Sequence, residues 1–412
     1  MPHGLDRVRP NDRKKTTVTA PAPATANTAP WDALSGQYQL CPGTPRSIVG
    51  QRPVLGAGRL GRLLRGQRGE QVSRTLSSVF TLCAHAHRRT AELALATAQG
   101  DAAVDAGAAP SSPPPVLLWV ETARDHLRSI ALDWPQRLPS LAAERPALEW
   151  LRDCPLPLAT ATRLDATAAG AALNTLRLWL EQRVLQQSVS SWLSAHRDPD
   201  ALAHWCHAQA ARLPPAHCLA HWQPMAHALR PEMRCLNVLD EDAALQHAQL
   251  RQLAQTLVDQ PDFAQQPTWL GQCFENGPWT RLRHRQSQTT TPHSAWTRLS
   301  TRWLELVEIS AAPTPTQSQG RVALLATGAM KLDHGQALAW CEMARGLLLH
   351  WVQLDAHGAV QDYRVVAPTE WNFHPDGGLA RAVATLPAGD TLGASTLAAA
   401  FDPCVVCTIK QV

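Results

Sequence analysis

Lysine is nearly absent from this chain, which has four lysines against thirty-four arginines among its 412 residues. The formal net charge is only +4. Five basic and two acidic residues fall in residues 1–30, so the remaining sequence is close to neutral. A nucleic-acid-binding domain normally shows a strongly basic face or stripe. The charge balance therefore argues against a nucleic acid as partner.

Long apolar runs are also missing. No stretch reaches the roughly 18 consecutive apolar residues that predict a membrane-spanning helix. The first residues lack the apolar segment of a secretory signal. We therefore expect a cytoplasmic protein without a membrane partner. The ten cysteines are scattered, and in a cytoplasmic chain most of them are expected to be reduced, small buried residues.

The composition, 45% apolar and 17% charged, is sufficient for a large buried core. Residues 1–30 are rich in Thr, Ala, Pro and charge, and we predict a disordered tail there. Residues 31–412 are predicted to form a single domain. A Pro-rich and Ala-rich stretch over 100–115 is predicted to be a flexible loop within it.

The hydrophobic periodicity predicts a mainly helical protein with a small β element, an α+β fold. A β-hairpin is predicted from Gly346–Leu354 and Val360–Val366, because both runs are β-like and a glycine-containing turn joins them. A Pro-rich and Thr-rich loop is expected over 313–320. The helical patterns cover residues 73–99, 116–132, 167–195, 199–212, 216–229 and 240–259.

Two cysteines stand three apart near the C-terminus, at Cys404 and Cys407. Paired thiolates hold a soft metal ion or form a redox couple. A structural zinc site needs four ligands, and no second Cys-x-x-Cys is present in the sequence. A thioredoxin-like pair opens a helix next to a strand, which this position does not offer. Neither generic interpretation fits well.

A second thiol, Cys83, lies four residues before His87 inside a helical pattern. Residues at this spacing share one helix face. The two side chains form a candidate ligand with a supporting histidine. The alternative is that both are ordinary helix residues.

Three segments together resemble the large subunit of nickel–iron hydrogenases. The sequence Asp402-Pro403-Cys404-Val405-Val406-Cys407 resembles its C-terminal signature. The sequence Glu342-Met343-Ala344-Arg345-Gly346 is similar to its Glu-x-x-Arg-Gly segment. Pro368-Thr369-Glu370-Trp371-Asn372 is similar to its Pro-Ser/Thr-x-Trp-Asn segment. The order of the three segments also agrees, and the resemblance implies a large-subunit-like helical core with a C-terminal β-hairpin region.

This chain departs from the family's N-terminal motif, which reads Arg-x-Cys-Gly-x-Cys-x-x-x-His. Its second cysteine and its histidine match Cys83 and His87, but its first cysteine is replaced by Phe80. In the catalytic subunits the second cysteine of each pair bridges iron and nickel, and the first binds nickel only. The resemblance therefore implies that Cys83 and Cys407 keep the bridging positions and Cys404 one nickel position. Phe80 removes the other nickel ligand, so no nickel is expected.

A second departure concerns the chain end. Catalytic subunits of the family are cut after a histidine three residues past the last cysteine. Lys410 stands at that position here, followed by Gln411 and Val412, and we expect no processed tail. The whole pattern resembles the HupK/HoxV type of hydrogenase maturation protein, which is non-catalytic.

That resemblance implies a scaffold for the Fe(CN)2CO group of the large subunit, held transiently. Cys83 and Cys407 are the expected iron ligands, and Cys404 is expected to assist capture or release. The implied partners are the hydrogenase large subunit precursor and maturation factors of the Hyp type.

The resemblance also suggests roles around the iron. Arg345 and Thr369 are expected to donate hydrogen bonds to the cyanide groups, since cyanide nitrogen is a strong acceptor. Pro368 and Asn372 are expected to shape the loop, and His87 to support the iron. For Arg345 an ion pair with Glu342, one helical turn away, is the alternative.

Two other functions remain open at this stage. One is a divergent catalytic large subunit, which would bind nickel. The other is a metal-free chaperone that docks on the immature large subunit.

Overall fold

The computed structural model describes residues 36–56, 58–100, 116–137, 148–156, 164–239, 242–285, 293–311 and 324–411, without the side chains of 282–285. The predicted tail 1–30, the loop 313–320 and all but Gly100 of the predicted loop 100–115 lie outside these residues.

The described residues contain strands that we label in chain order: β1 (Gln37–Leu40), β2 (Ile48–Gln51), β3 (Arg234–Cys235), β4 (Phe274–Glu275), β5 (Thr327–Asp333), β6 (Gln336–Met343), β7 (Gly346–Leu354), β8 (Val360–Val366) and β9 (Val406–Ile409). The helices are α1 (Arg59–Leu64), α2 (Glu70–Val79), α3 (Ala84–Gln99), α4 (Val116–Arg128), α5 (Trp134–Arg137), α6 (Ala166–Trp179), α7 (Val189–His196), α8 (Pro199–Gln209), α9 (Pro214–Ala228), α10 (Ala243–Asp259), α11 (Pro278–Arg285), α12 (Ala295–Ser310), α13 (Pro368–Asn372), α14 (Gly378–Ala384) and α15 (Thr391–Phe401).

Most predicted helices are present, and several begin at a side chain that accepts a hydrogen bond from the first turn. Asp165, Asp198 and Asp242 cap α6, α8 and α10 in this way. Such caps satisfy backbone N–H groups that have no partner inside the helix.

Two of the predicted helices are interrupted. The pattern over 73–99 breaks at Phe80 into α2, a 3-10 turn (Thr81–Cys83) and α3. The pattern over 167–195 widens into a π-helical turn (Leu180–Leu185) and ends at Gln186, whose φ is 56°. The hydrophobic period continued across both breaks, so periodicity alone could not reveal them.

The predicted hairpin of β7 and β8 is confirmed, and it belongs to a larger antiparallel sheet of order β5-β6-β7-β8. Strands β5 and β6 were not predicted. They correct the helical placement of Glu342 and Arg345, because Glu342 lies in β6 and Arg345 in the turn before β7. At this turn Gly346 has a φ of 132°, a conformation that favours glycine.

A second sheet joins the beginning and end of the described chain. Its order is β2-β1-β9, with β9 running parallel to β1. Tyr38 stands opposite Cys407 in this register. The segment that follows Cys404 is therefore fixed against residues near position 40.

The core is one apolar cluster that runs from Tyr38 to Phe401. Helix α3 packs against β5, β6 and β7, while the almost fully buried α12 packs against α4, α9 and α15. The structure confirms the predicted fold class, mainly α with a smaller β part. The division into a tail and one domain stays a prediction. Among the described residues no helix is long and apolar enough to cross a membrane.

Candidate metal centre

Cys83 is buried at the point where the 3-10 turn passes into α3. The position is fixed from outside the helix by Glu121 of α4. Its carboxylate accepts hydrogen bonds from the backbone N–H groups of His85 at 2.7 Å and Ala86 at 2.9 Å. A carboxylate at a helix N-terminus accepts hydrogen bonds from N–H groups that have no partner inside the helix, and its negative charge interacts favourably with the helix dipole.

Cys404 is partly buried and follows a tight turn at the end of α15. Asp402 makes this turn with a φ of 44°, in the left-handed region. Aspartate tolerates this conformation better than most residues, although it costs free energy. Its carboxylate lies 3.0 Å from Nη1 of Arg302 and accepts a hydrogen bond from Oγ of Ser129 at 3.2 Å.

Two side chains contact the sulfur of Cys404. The hydroxyl of Thr369 lies 3.2 Å from the sulfur and also accepts from the Cys404 backbone N–H at 3.4 Å. Nη1 of Arg52 donates to the same sulfur at 3.2 Å. Arg52 is itself paired with Glu370, whose carboxylate oxygens both lie 3.5 Å from this Nη1.

Phe80 is buried between α2 and the turn that carries Cys83. Its ring stacks on the imidazole of His87, with centroids 3.9 Å apart. The guanidinium carbon of Arg52 lies over the Phe80 ring at 5.3 Å from its centroid. Phe80 therefore fills space beside the thiols with a ring that offers no metal ligand.

Arg345 is held by the side chains of Asp125 and Asp402. Its Nη1 lies 3.2 Å from Oδ2 of Asp125, and its Nε donates to the backbone carbonyl of Asp402 at 3.1 Å. Burial disfavours the charged guanidinium, but Asp402 and Asp125 raise the pKa of Arg345 above its ordinary value. Arg345 is a fixed cation at this site.

The loop that carries Thr369 is clamped by Asn372. Its side chain accepts from the backbone N–H of Asn276 at 3.1 Å and donates to the Asn276 carbonyl at 2.9 Å. Pro368 occupies the first position of α13, where a missing N–H costs nothing. The side chain of Asn276 also accepts from the backbone of Leu347, so it joins this loop to the turn of Arg345.

Cys407 lies in the short strand β9 near the end of the described chain. Its position is set by the parallel pairing of β9 with β1, in which Cys407 stands opposite Tyr38. Burial raises the pKa of Cys407 to about 11, although Arg137 opposes the rise.

His87 takes part in a buried hydrogen-bonded chain. Its Nδ1 lies 3.0 Å from Nε2 of His350, whose Nδ1 lies 2.7 Å from the Tyr363 hydroxyl. Burial, His350 and Arg52 together lower the pKa of His87 well below its ordinary value. His87 is therefore neutral and fixed in orientation.

Burial and neighbouring charges shift the pKa values of Cys83, Arg52 and Arg345. Burial raises the pKa of the Cys83 thiol well above its ordinary value, and the nearby Cys404 and Glu121 raise it further. The positive charge of Arg345 opposes this rise. Burial disfavours the charge of Arg52, but Cys404, Glu370 and Cys83 raise its pKa. Two thiols thus lie within electrostatic reach of two guanidinium groups.

The structure brings Cys83, Cys404, Thr369 and Arg345 into one electrostatic neighbourhood. Within the described part of the chain, no group of three or more His, Cys, Asp or Glu side chains is arranged to hold a metal ion. The assignment of the three cysteines as iron ligands stays a prediction.

Sequence reasoning missed several residues of the site. No motif marks Arg52, and only the fold brings it to Cys404, 352 positions away. Asp125 offered a signal, because a charged residue lies among buried positions of an amphipathic helix. Other residues overlooked as contacts include Glu121, Arg302, Glu370 and Asn276.

Comparison with known proteins decides the family. The hydrogenase expression/formation protein HoxV of Cupriavidus necator is 38% identical over 407 residues, covering 92% of this chain and 96% of the relative. The chain belongs to the HoxV/HupK family of hydrogenase expression/formation proteins. Another member, HupK of Azotobacter vinelandii, is 29% identical, with 88% of this chain and 93% of the relative covered. A family model described as nickel-dependent hydrogenase matches residues 316–410.

Among solved structures, an NAD+-reducing NiFe-hydrogenase in the H2-reduced state is 14% identical with a TM-score of 0.49, covering 87% of this chain and 93% of that one. A Ni-Fe-Se hydrogenase from D. vulgaris Hildenborough also has a TM-score of 0.49 at 13% identity, with coverage of 86% and 92%. The family membership rests on the sequence relatives.

Proposed function

We propose that this chain is a non-catalytic accessory protein of nickel–iron hydrogenase maturation. It holds an Fe(CN)2CO group on cysteine thiolates and passes it to the precursor of the large subunit, in concert with Hyp-type maturation factors. The names of its relatives, hydrogenase expression/formation proteins, support the maturation role. A cytoplasmic location stays a prediction.

The observation that carries the proposal is the pairing of two thiols with three hydrogen-bonding side chains. Thr369 and Arg52 contact the Cys404 sulfur, and Arg345 is close enough to lower the pKa of Cys83. Thiolates suit a soft iron centre. Cyanide nitrogen accepts hydrogen bonds, and charge-assisted donors such as guanidinium bind such acceptors strongly.

An unpaired donor supports the fit of this cargo. The Nε–H of Arg52 is buried and has no hydrogen-bond partner within the described residues. A buried donor without a partner costs about 1–3 kcal/mol. An acceptor on the cargo would satisfy it.

We propose a division of roles among the thiols that differs from the one the resemblance implies. The family resemblance assigns iron to Cys83 and Cys407, with Cys404 assisting. The proximity of Cys404 to Cys83 favours these two as the inner pair of the cargo-free chain. Cys407, three residues after Cys404, is then the thiol that exchanges with Cys404 during release of the cargo.

The raised pKa of Cys83 is consistent with a carrier. A thiol must lose its proton before it binds a metal. At a buried thiol of raised pKa, the proton competes well with the metal. The cargo is therefore held less firmly than on an acidic thiol, which favours release to the large subunit.

The first alternative, a divergent catalytic large subunit, requires nickel. Phe80 stands where a nickel ligand is needed, and Arg52 places a cation at the remaining thiol. A nickel assay on the purified chain separates the two functions. Nickel at one ion per chain together with hydrogen turnover would favour catalysis.

The second alternative is a metal-free docking chaperone. Capture of the large subunit precursor by the Cys83→Ala variant addresses docking alone. A pure docking protein supports maturation equally well with this variant, whereas a cargo carrier binds the precursor but fails to support maturation.

A transfer experiment tests the proposal. The chain is purified without oxygen from cells that make the cyanide and CO ligands, and then mixed with cargo-free large subunit precursor. Infrared bands of CO and cyanide are expected on this chain first and on the re-isolated precursor afterwards. Absence of the bands from this chain before mixing would contradict the proposal.

A further inference from the structure

A permanent cation stands next to the thiol pair. The Arg52 guanidinium donates to the Cys404 sulfur at 3.2 Å and has its pKa raised by Cys404, Glu370 and Cys83 together. Arginine stays protonated at every physiological pH. Whatever enters beside Cys404 therefore meets a positive charge that cannot be removed by losing a proton.

The guanidinium is held in place from several sides. Glu370 pairs with it at 3.5 Å, and the Tyr38 hydroxyl donates to the same carboxylate at 3.5 Å. The ring of Phe80 lies beneath it, and Gln265 donates to the Arg52 backbone carbonyl at 3.1 Å. Arg52 is only 4% exposed, so it cannot turn away into solvent without breaking these contacts.

We propose that Arg52 determines the metal specificity of this site: it acts as a built-in cation that excludes a second metal ion, so that the thiol pair accepts one iron group and no nickel. The inference rests on the proposed function, since it names what the same site rejects. It goes beyond the loss of a ligand at Phe80, because it assigns the exclusion to a charge that is present.

Two effects act against a second divalent ion. Like charges repel most strongly where water is excluded, and both Arg52 and Cys83 are buried. The Cys404 sulfur also already accepts a hydrogen bond from Arg52, which a second metal would have to displace. The iron group differs from a bare ion, because its cyanide nitrogens can accept a hydrogen bond from the guanidinium.

The test uses the full cargo-free chain and nickel ions alone, under exclusion of oxygen. Binding is followed by thiolate-to-nickel charge-transfer absorption. The variant Arg52→Met removes the charge and keeps the length of the side chain. We expect its nickel affinity to rise at least about tenfold, which corresponds to about 1.4 kcal/mol. Arg52→Lys keeps the charge, and its nickel affinity should stay within about threefold of the unaltered chain.

Further variants locate the effect. Arg52→Met combined with Cys404→Ser should lose the gain, since the inner sulfur is then missing. Arg59→Met, at an exposed arginine of α1, should leave nickel binding unchanged. Arg52→Met combined with Glu370→Gln removes both charges of the buried pair. It should still show the gain, and it decides the question if Arg52→Met alone does not fold.

A rise smaller than tenfold in the folded charge-free variant overturns the inference, as does an equal rise in Arg52→Lys. A gain that vanishes with Glu370→Gln also overturns it, because the freed carboxylate would then be the ligand. None of these results depends on the infrared bands. If the CO and cyanide bands are present but Arg52→Met does not raise nickel affinity, the proposed function stands and this inference fails. If nickel affinity rises but the bands are absent, only the proposed function is refuted.

Discussion

Arg345 contacts Asp402 twice, through a hydrogen bond from its Nε to the backbone carbonyl at 3.1 Å and an ion pair with the carboxylate at 3.3 Å. Asp402 lies two residues before Cys404, in a left-handed turn. The contact joins two of the segments that resemble nickel–iron hydrogenase large subunits. It therefore fixes the Cys404 backbone without help from a metal.

Loss of the Asp402 charge should destabilise the chain strongly. In Asp402→Asn, Arg302 and Arg345 stay buried and charged without this counter-ion. We expect the free energy of unfolding in urea to fall by about 3 kcal/mol. Asp390→Asn is the matched control, because Asp390 only caps α15 and asparagine caps helices equally well. Equal losses in the two variants would contradict this account of the turn.

The hydroxyl of Thr369 should matter for the cargo more than its methyl group. Thr369→Val removes the contact to the Cys404 sulfur and the acceptor of the Cys404 N–H, whereas Thr369→Ser keeps both. We expect weaker CO and cyanide bands, relative to protein, in the valine variant and full intensity in the serine variant. Full intensity in both would show that the hydroxyl does not support the site.

Restoring the missing sulfur should not restore nickel binding by itself. Phe80→Cys supplies the ligand type that the resemblance finds absent, but Arg52 still places its charge beside Cys404. We expect weak nickel binding in Phe80→Cys and clearly tighter binding when Arg52→Met is added. Loss of the buried ring should also cost about 3 kcal/mol of stability. Tight nickel binding by Phe80→Cys alone would assign the exclusion to Phe80.

Glu121 should make stability depend on pH. Burial first, and Asp125 second, raise the pKa of Glu121 from 4.5 to about 7, while two backbone N–H groups and Arg124 oppose the rise. The folded chain then binds this proton more tightly than the unfolded chain. The stabilisation is fully present below pH 4.5 and is lost as the pH rises through about 7.

The measurement compares the unaltered chain with Glu121→Gln by urea unfolding at about pH 5 and about pH 8. The stability of the unaltered chain relative to the variant should fall by up to about 3 kcal/mol over this range. Glu92→Gln, at a partly exposed residue of α3 that pairs with Arg88, controls for a Glu-to-Gln change as such. A difference that does not vary with pH would contradict the raised pKa.

The sequence predicted the parts of the fold whose signals are local. Helices such as α8, α9 and α10 have caps or starting prolines, and β7 and β8 have a glycine turn. Strands β1 and β9 could not be predicted, because two four-residue strands that are far apart in the sequence leave no local pattern when they pair. The break at Phe80 was hidden because apolar residues continue through it.

The motifs identified several candidate site residues, but they could not show which other side chains contact those residues. The resemblance pointed to Arg345 and Thr369, and both lie beside the thiols. Arg52 could not be identified as a site residue, because a single arginine before a proline belongs to no recognisable motif. The position of Cys407 opposite Tyr38 likewise arises from the pairing of β9 with β1, which no spacing in the sequence encodes.

The most direct measurement is the infrared spectrum of the chain purified without oxygen from cells that make both ligands, compared across single cysteine variants. The account predicts CO and cyanide bands in the unaltered chain and in Cys218→Ala, a buried cysteine of α9. It predicts their loss in Cys83→Ala and Cys404→Ala, and their retention in Cys407→Ala. Loss of the bands in Cys407→Ala, with retention in Cys404→Ala, would instead support Cys83 and Cys407 as the iron ligands, the pair that the resemblance assigns. Bands that survive in Cys83→Ala, or no bands in the unaltered chain, would contradict the scaffold itself.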